Sequence, residues 1–454
     1  MLLHDWYKEK FTRLKSTNIG DLILGSGINS VAKVTAAGLG FIGSMLIARF
    51  YSAETLGQIA TISSTFAMLS LFALVGNHTY LLRTIPQKIA SSGFLHARRV
   101  FLKIVSLVLI SNVFVIAVLF FTLITFKDAF TVVKSFEYLV YSLLLAACIK
   151  KISIFTLRAL GDYKIFSLFE ILPPLFMMLF VLMAIALKLE NKPFIYFYYS
   201  PHFILGLLIF VLAYTGFSRH ISTEPTSTLR PFSSTEKPSV PTYSGILKVS
   251  IPMLGVTLSN AIITHTDILM LASFTDGATV GIYSVYLKLG ALMTIAIGAV
   301  NSMYAPKAAR LYGDGKIQDL KVLTKRATLI TFSVSIIILI AILLLHQPVL
   351  AFYGSVFLHQ TTAFYLLLFS TLLSAFYGSV GMLLNMTGKQ NRFFFIMSSA
   401  AILNVLLNYI LIPASGATGA AIATFATVLY WNTLAVISVK NNYDFTTFPS
   451  FSGR

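Results

Sequence analysis

Long apolar stretches alternate with short polar connections along almost the whole chain. A helix that crosses a bilayer needs about 20 apolar residues, and the runs lack the short alternating pattern of a membrane β-barrel. The predicted fold is therefore an all-α polytopic membrane protein. By length, the pattern predicts twelve transmembrane helices, at 21–50, 55–83, 101–126, 137–160, 165–188, 193–216, 246–274, 280–305, 327–346, 360–386, 392–413 and 416–439.

The second half of the chain repeats the first at an offset of 224 positions. Without a gap, ARFYSAETLGQIA (48–60) aligns with ASFTDGATVGIYS (272–284), so that Thr55 and Gly57 coincide with Thr279 and Gly281. We therefore predict two six-helix bundles, at residues 1–216 and 246–440. The Ser-, Thr- and Pro-rich segment 217–245 is expected to be a flexible cytoplasmic linker, and residues 441–454 a cytoplasmic tail.

Lysine and arginine concentrate in the N-terminal tail and in the even-numbered connections between the predicted helices. By the positive-inside rule, this bias predicts that both termini and the linker are cytoplasmic. With six helices each, both halves enter the membrane in the same direction. A pseudo-two-fold axis along the membrane normal then relates them, as in transporters with parallel repeats. Such a pair encloses a central cavity, so the geometry favours transport.

Composition agrees with this fold. Hydrophobic residues make up 57% of the chain and charged residues 11%, against about 25% charged residues in soluble domains. The net charge of +18 lies in alternate connections rather than in a basic groove, so no nucleic-acid partner is expected. The single cysteine, Cys148, excludes an intrachain disulfide and a thiol metal cluster. The N-terminal segment is too polar for a signal-peptide core, so the first helix should remain in the mature protein.

No arrangement of residues in the sequence indicates an enzyme. The chain lacks a Gly-Lys-Ser/Thr phosphate-binding loop, so ATP hydrolysis is not expected. No acid pair or nucleophile–base arrangement stands out in a polar connection, and we predict neither a metal site nor a bound cofactor.

Ionisable side chains inside the predicted helices are the main functional candidates, since a charge at the bilayer centre costs about 2.5–3.5 kcal/mol or more. Lys33 lies midway along the first helix, one turn after Asn29 on a face of small and polar residues. One interpretation is a cation that lines the cavity, and the other is a lysine that snorkels to the cytoplasmic interface. The distance of roughly 20 Å from Gly20, at 1.5 Å per residue, favours the cavity.

A second group lies on the seventh and eighth helices. Asp267 shares a helix face with Asn260 and is interpreted as a cavity acid, a coupling-ion group or a partner for a lysine. The alternative is a structural hydrogen bond that holds the turn at 276–279. Lys288 either pairs with Asp267 across the hairpin or binds an anion. Arg49 is expected to cap the first helix at the outer rim, with contact to an anion as the alternative.

Other polar residues favour structural roles. Glu170 is expected at the cytoplasmic edge of the fifth helix. His78 and His265 lack the companions of a metal site, which favours core or interface positions. Asn404 and Asn408, spaced by one helical turn, are expected to form hydrogen bonds with neighbouring helices.

Segments spread over nearly the whole chain carry a family resemblance. They include LIARFYSAETLGQIA, VSIPMLGVTLSNAIITHTDILMLASF, MYAPKAARLYGDG and ILNVLLNYILIPASGATGAAIAT. The chain resembles polysaccharide-type flippases of the multidrug/oligosaccharidyl-lipid/polysaccharide exporter superfamily, most of all the O-antigen flippases often called Wzx.

The resemblance implies a flippase that moves an undecaprenyl-diphosphate-linked oligosaccharide from the cytoplasmic to the periplasmic leaflet of a bacterial inner membrane. It implies a cationic cavity in which Lys33 and Lys288 contact the diphosphate or a sugar acid. Expected partners are membrane lipid, a polysaccharide polymerase and a chain-length regulator, and the coupling ion, if there is one, is H⁺ or Na⁺. The alternatives are a multidrug or cation antiporter of the same superfamily, a membrane-bound polysaccharide polymerase, and a scaffold that transports nothing.

Overall fold

The computed structural model describes residues 18–126, 130–223, 241–359 and 361–449. Almost all of these residues are helical, and no strand occurs among them. The helices are α1 Asn18–Phe50, α2 Ala53–Leu74, α3 Asn77–Thr125, α4 Thr131–Ser135, α5 Glu137–Ala159, α6 Tyr163–Ala186, α7 Asn191–Thr223, α8 Tyr243–Phe274, α9 Gly277–Gly313, α10 Ile317–Tyr353, α11 Thr361–Tyr377, α12 Val380–Met386 and α13 Gln390–Tyr443, with a 3₁₀ turn at Ser355–Leu358.

The helix lengths confirm the predicted polytopic fold. Within the described ranges, nine helices are long and apolar enough to cross a membrane, and α11 with α12, bent by 43°, forms a tenth candidate span. α13 has 54 residues, and the non-helical backbone at Gly416 divides it into two spans. α8, with 32 residues, is also long enough to cross. Counted with α8 and with both parts of α13, the described ranges contain six candidate spans in each of two lobes.

The second predicted helix, 55–83, was too long. α2 ends at Leu74, and Val75 and Gly76 adopt left-handed backbone conformations with φ of 47° and 72° before α3 begins. A Cβ atom on Gly76 would lie 2.2 Å from the carbonyl oxygen of Ser250 on α8. The break therefore lets α8 cross closely at a position that only glycine fits. At the linker, α7 continues to Thr223 and α8 begins at Tyr243, and residues 224–240 lie outside the described ranges.

The two ends of the bundle differ in how the halves pack. We call the end with the turns at 51–52 and 275–276 the turn face, and the end where α7 stops and α8 starts the linker face. Near the turn face, one apolar core joins both halves, with Ile62 and Tyr283 fully buried in it. Toward the linker face the core separates into one cluster for each half, except that Ile246 of α8 packs into the first-half cluster. The halves therefore share one core at the turn face. Toward the linker face they have separate cores, which α8 connects through its contacts with α2 and α3.

The contact at the turn face is built from the repeated segment itself. A Cβ atom on Gly57 of α2 would lie 1.9 Å from the carbonyl oxygen of Gly277, and one on Gly281 of α9 would lie 2.0 Å from that of Ala53. These pairs are equivalent under the offset of 224 positions. The two helices therefore touch backbone to backbone across the pseudo-two-fold axis, a distance that only glycine allows.

Equivalent caps fix the two helix starts at this contact. The Ser52 hydroxyl accepts a hydrogen bond from the Thr55 amide at 3.0 Å, and the Asp276 carboxylate accepts one from the Thr279 amide at 2.8 Å. Each side chain satisfies an amide that the helix leaves without a partner. The repeat seen in the sequence is thus a structural repeat.

Candidate functional site

A central cavity of about 840 Å³ lies between the two halves, on the inner side of the turn-face contact. Residues of α1, α2, α7, α8, α9, α11 and α13 line it. The structure brings Lys33, Asp267 and Lys288 together in this lining, although they are far apart in the sequence. Both halves therefore contribute charged groups to one site.

The two lysines of the cavity come from opposite halves. Lys33 is on α1 and Lys288 is on α9, and both side chains are exposed. No described carboxylate lies within ion-pair distance of either ammonium group, since the ion pair found among the described residues joins Arg310 and Asp314. An ammonium group inside a membrane span that has no carboxylate within ion-pair distance is stabilised by an anion, so these lysines make the cavity a favourable place for an anionic group.

Hydroxyl groups make up most of the remaining polar lining. They come from both halves and belong to Ser63, Ser64, Tyr198, Thr264, Ser284, Thr294, Ser370, Thr371, Ser374 and Thr424. Hydroxyls both donate and accept hydrogen bonds, so they can replace water around an uncharged polar group. The lining therefore suits a ligand that combines an anion with many hydroxyl groups.

Asp267 has a different environment from the lysines. It is 2% exposed, and its carboxylate accepts hydrogen bonds from the Tyr283 hydroxyl at 2.6 Å, the Asn408 amide at 2.7 Å and the Thr424 hydroxyl. The predicted pairing with Lys288 is wrong, because these neutral donors occupy the carboxylate instead. The alternative role in the turn at 276–279 is also wrong, because the turn is capped by Asp276.

Asn404 and Asn408 surround the same carboxylate. The Asn404 amide donates to the Thr427 hydroxyl at 3.4 Å. Asn408 thus bonds to α8 and Asn404 to the second span of α13, as predicted. Their Oδ1 atoms are buried and accept no hydrogen bond within the described chain. Hard cations prefer oxygen ligands, and these two oxygens with Asp267 and Thr424 could hold a monovalent cation. No group of three or more His, Cys, Asp or Glu side chains that could hold a metal occurs among the described residues.

Two other predicted site residues, Arg49 and Asn260, are not among the residues that line the cavity. Arg49 is exposed in the last turn of α1. Asn260 is exposed on α8, and its carbonyl accepts a hydrogen bond from Thr264. The side chain of Asn29 lies outside the described residues. Of the histidines, His78 packs edge-on against Phe155, whereas His265 lines the cavity with its Nδ1 atom 3.4 Å from the Ser64 hydroxyl.

Sequence reasoning missed a polar cluster in the first half. The predicted helix at 137–160 already contained Lys150 and Lys151, but neither was identified as a charge inside a span, and the observed helix α5 continues to Ala159. Both lysines therefore lie about 12 Å or more inside the span, at 1.5 Å per residue. The Lys150 ammonium lies 2.9 Å from Nδ1 of His202. A count of residues back from the end of the helix would have revealed their depth.

The fold is similar to that of several solved transporters. A lipid II flippase MurJ in an inward closed conformation has a TM-score of 0.71 and 14% identity, over 91% of this chain and 87% of that chain. An inward-facing multidrug resistance MATE transporter of the MOP superfamily has a TM-score of 0.61 and 13% identity, over 91% and 99%. A MOP superfamily transporter from Pyrococcus furiosus has a TM-score of 0.60 and 14% identity, over 94% and 97%. At these identities the likeness concerns the fold alone.

Sequence comparison identifies the family. No curated protein sequence matches the chain. A model of the MatE family matches residues 252–410, and a model described as polysaccharide biosynthesis protein matches residues 22–306, more than half of the chain. This match confirms the resemblance to polysaccharide-type exporters, and the chain belongs to the polysaccharide biosynthesis protein family of membrane transporters.

Proposed function

We propose that the chain flips an undecaprenyl-diphosphate-linked oligosaccharide, such as an O-antigen unit, from the cytoplasmic to the periplasmic leaflet of a bacterial inner membrane. The observation that carries the proposal is the pair of lysines, Lys33 and Lys288, which line one cavity from opposite halves with no described carboxylate within ion-pair distance of either. The family match and the flippase fold of one similar structure support the class of transporter.

The chemistry of such a substrate fits the lining. A diphosphate cannot enter hydrocarbon unassisted, because transfer of an unpaired charge out of water is prohibitive. In the cavity, the two ammonium groups neutralise it, and the hydroxyls replace the water around the sugars. A volume of about 840 Å³ is near the upper end of the 300–1,000 Å³ typical of small-molecule sites. The cavity thus holds the diphosphate and the first sugars, while the prenyl chain stays in lipid.

The packing of the halves supports alternating access. We infer from the distribution of Lys and Arg that the linker face and both termini are cytoplasmic. The halves share one core at the turn face and have separate cores toward the linker face, where α8 connects them. The closed turn face supports a conformation that loads from the cytoplasmic leaflet. Release requires the contact at Gly57 and Gly281 to open. A polysaccharide polymerase and a chain-length regulator are the expected partners after release.

We further propose that the coupling ion, H⁺ or Na⁺, binds at Asp267. Three neutral donors hold the carboxylate, and two asparagine oxygens beside it have no described donor. An ion at this position would neutralise a buried carboxylate and join α8 to α13. The two ions are distinguished by the dependence of flipping on a sodium gradient or on a proton gradient.

A multidrug or cation antiporter is the second candidate, and the MatE match and the MATE-like folds favour it. A cationic drug would meet two lysines, Lys33 and Lys288, and one carboxylate, Asp267, which is 2% exposed. The carboxylate of Asp267 is already bonded to three donors. The electrostatics of the cavity therefore favour an anionic substrate over a cationic one.

The test is complementation of a strain that lacks its O-antigen flippase. The double variant Lys33→Ala/Lys288→Ala should lose surface polysaccharide and accumulate the lipid-linked precursor, because the diphosphate loses both counter-charges. Lys316→Ala is the control, since this lysine is exposed at the start of α10 and outside the cavity lining. Full restoration by the double variant, at protein levels equal to the control, would contradict the proposal.

A further inference from the structure

The span made of α11 and α12 is broken at the point where the two helices meet. α11 ends at Tyr377, α12 begins at Val380, and the two helices are bent by 43° relative to each other. Between them Gly378 has a left-handed backbone with φ of 75°, which glycine adopts at little cost. In a continuous helix the Tyr377 carbonyl group would accept a hydrogen bond from the Gly381 amide, but across this break it does not.

The end of the chain supplies a donor for this carbonyl group. We call residues 445–448 the C-terminal segment. Within it, Thr447 is fully buried, and its hydroxyl donates to the Tyr377 carbonyl oxygen at 2.7 Å. The ring of Phe448 packs on Phe376 and Tyr377, with centroid distances of 5.3 and 5.6 Å. A buried carbonyl group without a donor is costly, so the C-terminal segment stabilises the exposed end of α11.

The two sides of the break belong to different cores. On α11, Phe364 and Leu367 lie in the core that both halves share at the turn face. On α12, Leu383 and Leu384 lie in the core of the second half alone, together with Phe445 of the C-terminal segment. A rearrangement that separates the halves at the shared core therefore acts on α11 and α12 differently.

The Tyr377 carbonyl group has two alternative donors. In the bent span it accepts from the Thr447 hydroxyl, and in a straight span it would accept from the Gly381 amide. Glycine at the break allows both backbone conformations. Ser379, on the other side of the break, donates to the Oδ1 atom of Asn301 on α9. The C-terminal segment and α9 thus both stabilise the bent span, and loss of the Thr447 contact favours the straight one.

The break is connected to the cavity through α11. This helix carries three hydroxyl groups of the cavity lining, those of Ser370, Thr371 and Ser374. It also packs against α9 there, since a Cβ atom on Gly290 would lie 3.5 Å from the Thr371 hydroxyl oxygen. Lys288 precedes that glycine by two positions on α9. A change of angle at the break therefore alters the polar lining beside one of the two lysines.

We propose that the span of α11 and α12 is a hinge at Gly378–Ser379, and that the C-terminal segment holds it bent while the turn face is closed. When the turn face opens, the Tyr377 carbonyl group exchanges the Thr447 hydroxyl for the Gly381 amide, and the C-terminal segment loses its contact with α11. Thr447 is thus a positioning residue that acts on the cavity through α11. The use of the hinge in flipping rests on the proposed function.

Access to the cavity from the turn face tests the hinge without substrate. The protein, in sealed vesicles, carries Cys148→Ser and has Thr294→Cys in the cavity lining as its single cysteine, and an impermeant maleimide is added at the turn face. Thr447→Val removes one hydrogen bond from the bent span and should raise the labelling rate about 2- to 13-fold. Thr447→Ser keeps the hydroxyl and should label slowly. Thr446→Val is the matched control and should also label slowly, because the half-buried Thr446 donates no hydrogen bond within the described ranges.

The reverse measurement starts from the turn face. With Thr447→Cys as the single cysteine, a maleimide added at the linker face should label slowly, because this position is buried. Gly281→Ala, which places a Cβ atom 2.0 Å from the Ala53 carbonyl oxygen at the turn face, should accelerate this labelling about 5-fold or more, since coupling between two sites is reciprocal. Gly298→Ala, with nothing within 4 Å of the added methyl group, should not.

Either of two results would overturn the hinge. One is turn-face labelling of Thr447→Val at the rate of Thr447→Ser, and the other is equal linker-face labelling with Gly281→Ala and Gly298→Ala. The second measurement decides the matter even if Thr447→Val does not fold. Accelerated labelling in both measurements, in a protein that flips no lipid-linked saccharide, would contradict the proposed function and leave the hinge standing.

Discussion

The turn-face contact gives a prediction with a defined magnitude. Gly281→Ala adds one methyl group at a point where a Cβ atom would lie 2.0 Å from the carbonyl oxygen of Ala53. Ordinary contacts begin at 3.4 Å, so α2 and α9 must separate by about 1.4 Å. Because both sides of the contact are helix backbone, no side-chain rotation can relieve the overlap.

The free-energy cost falls on one conformation. Overpacking of this kind costs about 1–3 kcal/mol, and a conformation in which α2 and α9 have separated does not incur it. A difference of that size changes the ratio of two conformations about 5- to 150-fold. Gly281→Ala, and Gly57→Ala by symmetry, should therefore populate the state that is open at the turn face.

The assay measures access to the cavity from the turn face. Cys148 is replaced by serine, and Thr294, which lines the cavity, becomes the single cysteine of the protein. An impermeant maleimide is then added on the turn-face side. Labelling should be slow in this background. It should become about 5- to 150-fold faster when Gly281→Ala is added. Gly298→Ala, on the same helix with nothing within 4 Å of the added methyl group, is the matched control and should leave the rate unchanged. Equal labelling of both alanine variants would refute the reasoning.

The remaining predictions concern Asp267 and the break after α2. Asp267→Asn should abolish the response of flipping to the coupling-ion gradient while the protein still folds, and a retained response would exclude this ion site. Tyr283→Phe removes a donor to a buried carboxylate, which costs about 1.5–3 kcal/mol. It should lower the thermal midpoint of the purified protein, whereas Tyr365→Phe, whose partner is His346 at 3.3 Å, should lower it less. Gly76→Val forces a side chain to within 2.2 Å of the Ser250 carbonyl, so detergent-extracted folded protein should fall sharply relative to Gly298→Ala, and an equal yield would contradict the close crossing of α8.

The fold could be predicted from the sequence because membrane spans depend on the length of apolar runs. The same physics predicted the positions of Lys33 and Lys288, since a charge in the middle of such a run needs a polar surface. The repeated turn could also be recognised from the sequence, because both halves have glycine, Gly57 and Gly281, at the position where the helices touch. These features depend on local sequence or on a direct comparison of the two halves.

The hydrogen-bond partners of Asp267 could not be predicted from the sequence in the same way. Asp267 bonds with Asn408 and Thr424, which follow it by 141 and 157 positions, and no local pattern connects them. The pairing with Lys288 seemed natural from the hairpin alone, but neutral donors from α9 and α13 reach the carboxylate. The break at Val75 and Gly76 was also missed, although Asn77, His78 and Thr79 interrupt the apolar run there; the close crossing that it permits lies on α8, far away in the sequence.

Reconstitution tests the central claim most directly. The purified protein is placed in liposomes with a fluorescent undecaprenyl-diphosphate saccharide, and an impermeant reagent that attacks the outer-leaflet headgroups measures transbilayer movement. The wild type and Lys316→Ala should flip the lipid, and Lys33→Gln/Lys288→Gln should not, because the diphosphate would lose both counter-charges of the cavity. Equal flipping by the double glutamine variant, or no flipping by the wild type, would contradict a flippase that acts through a cationic cavity.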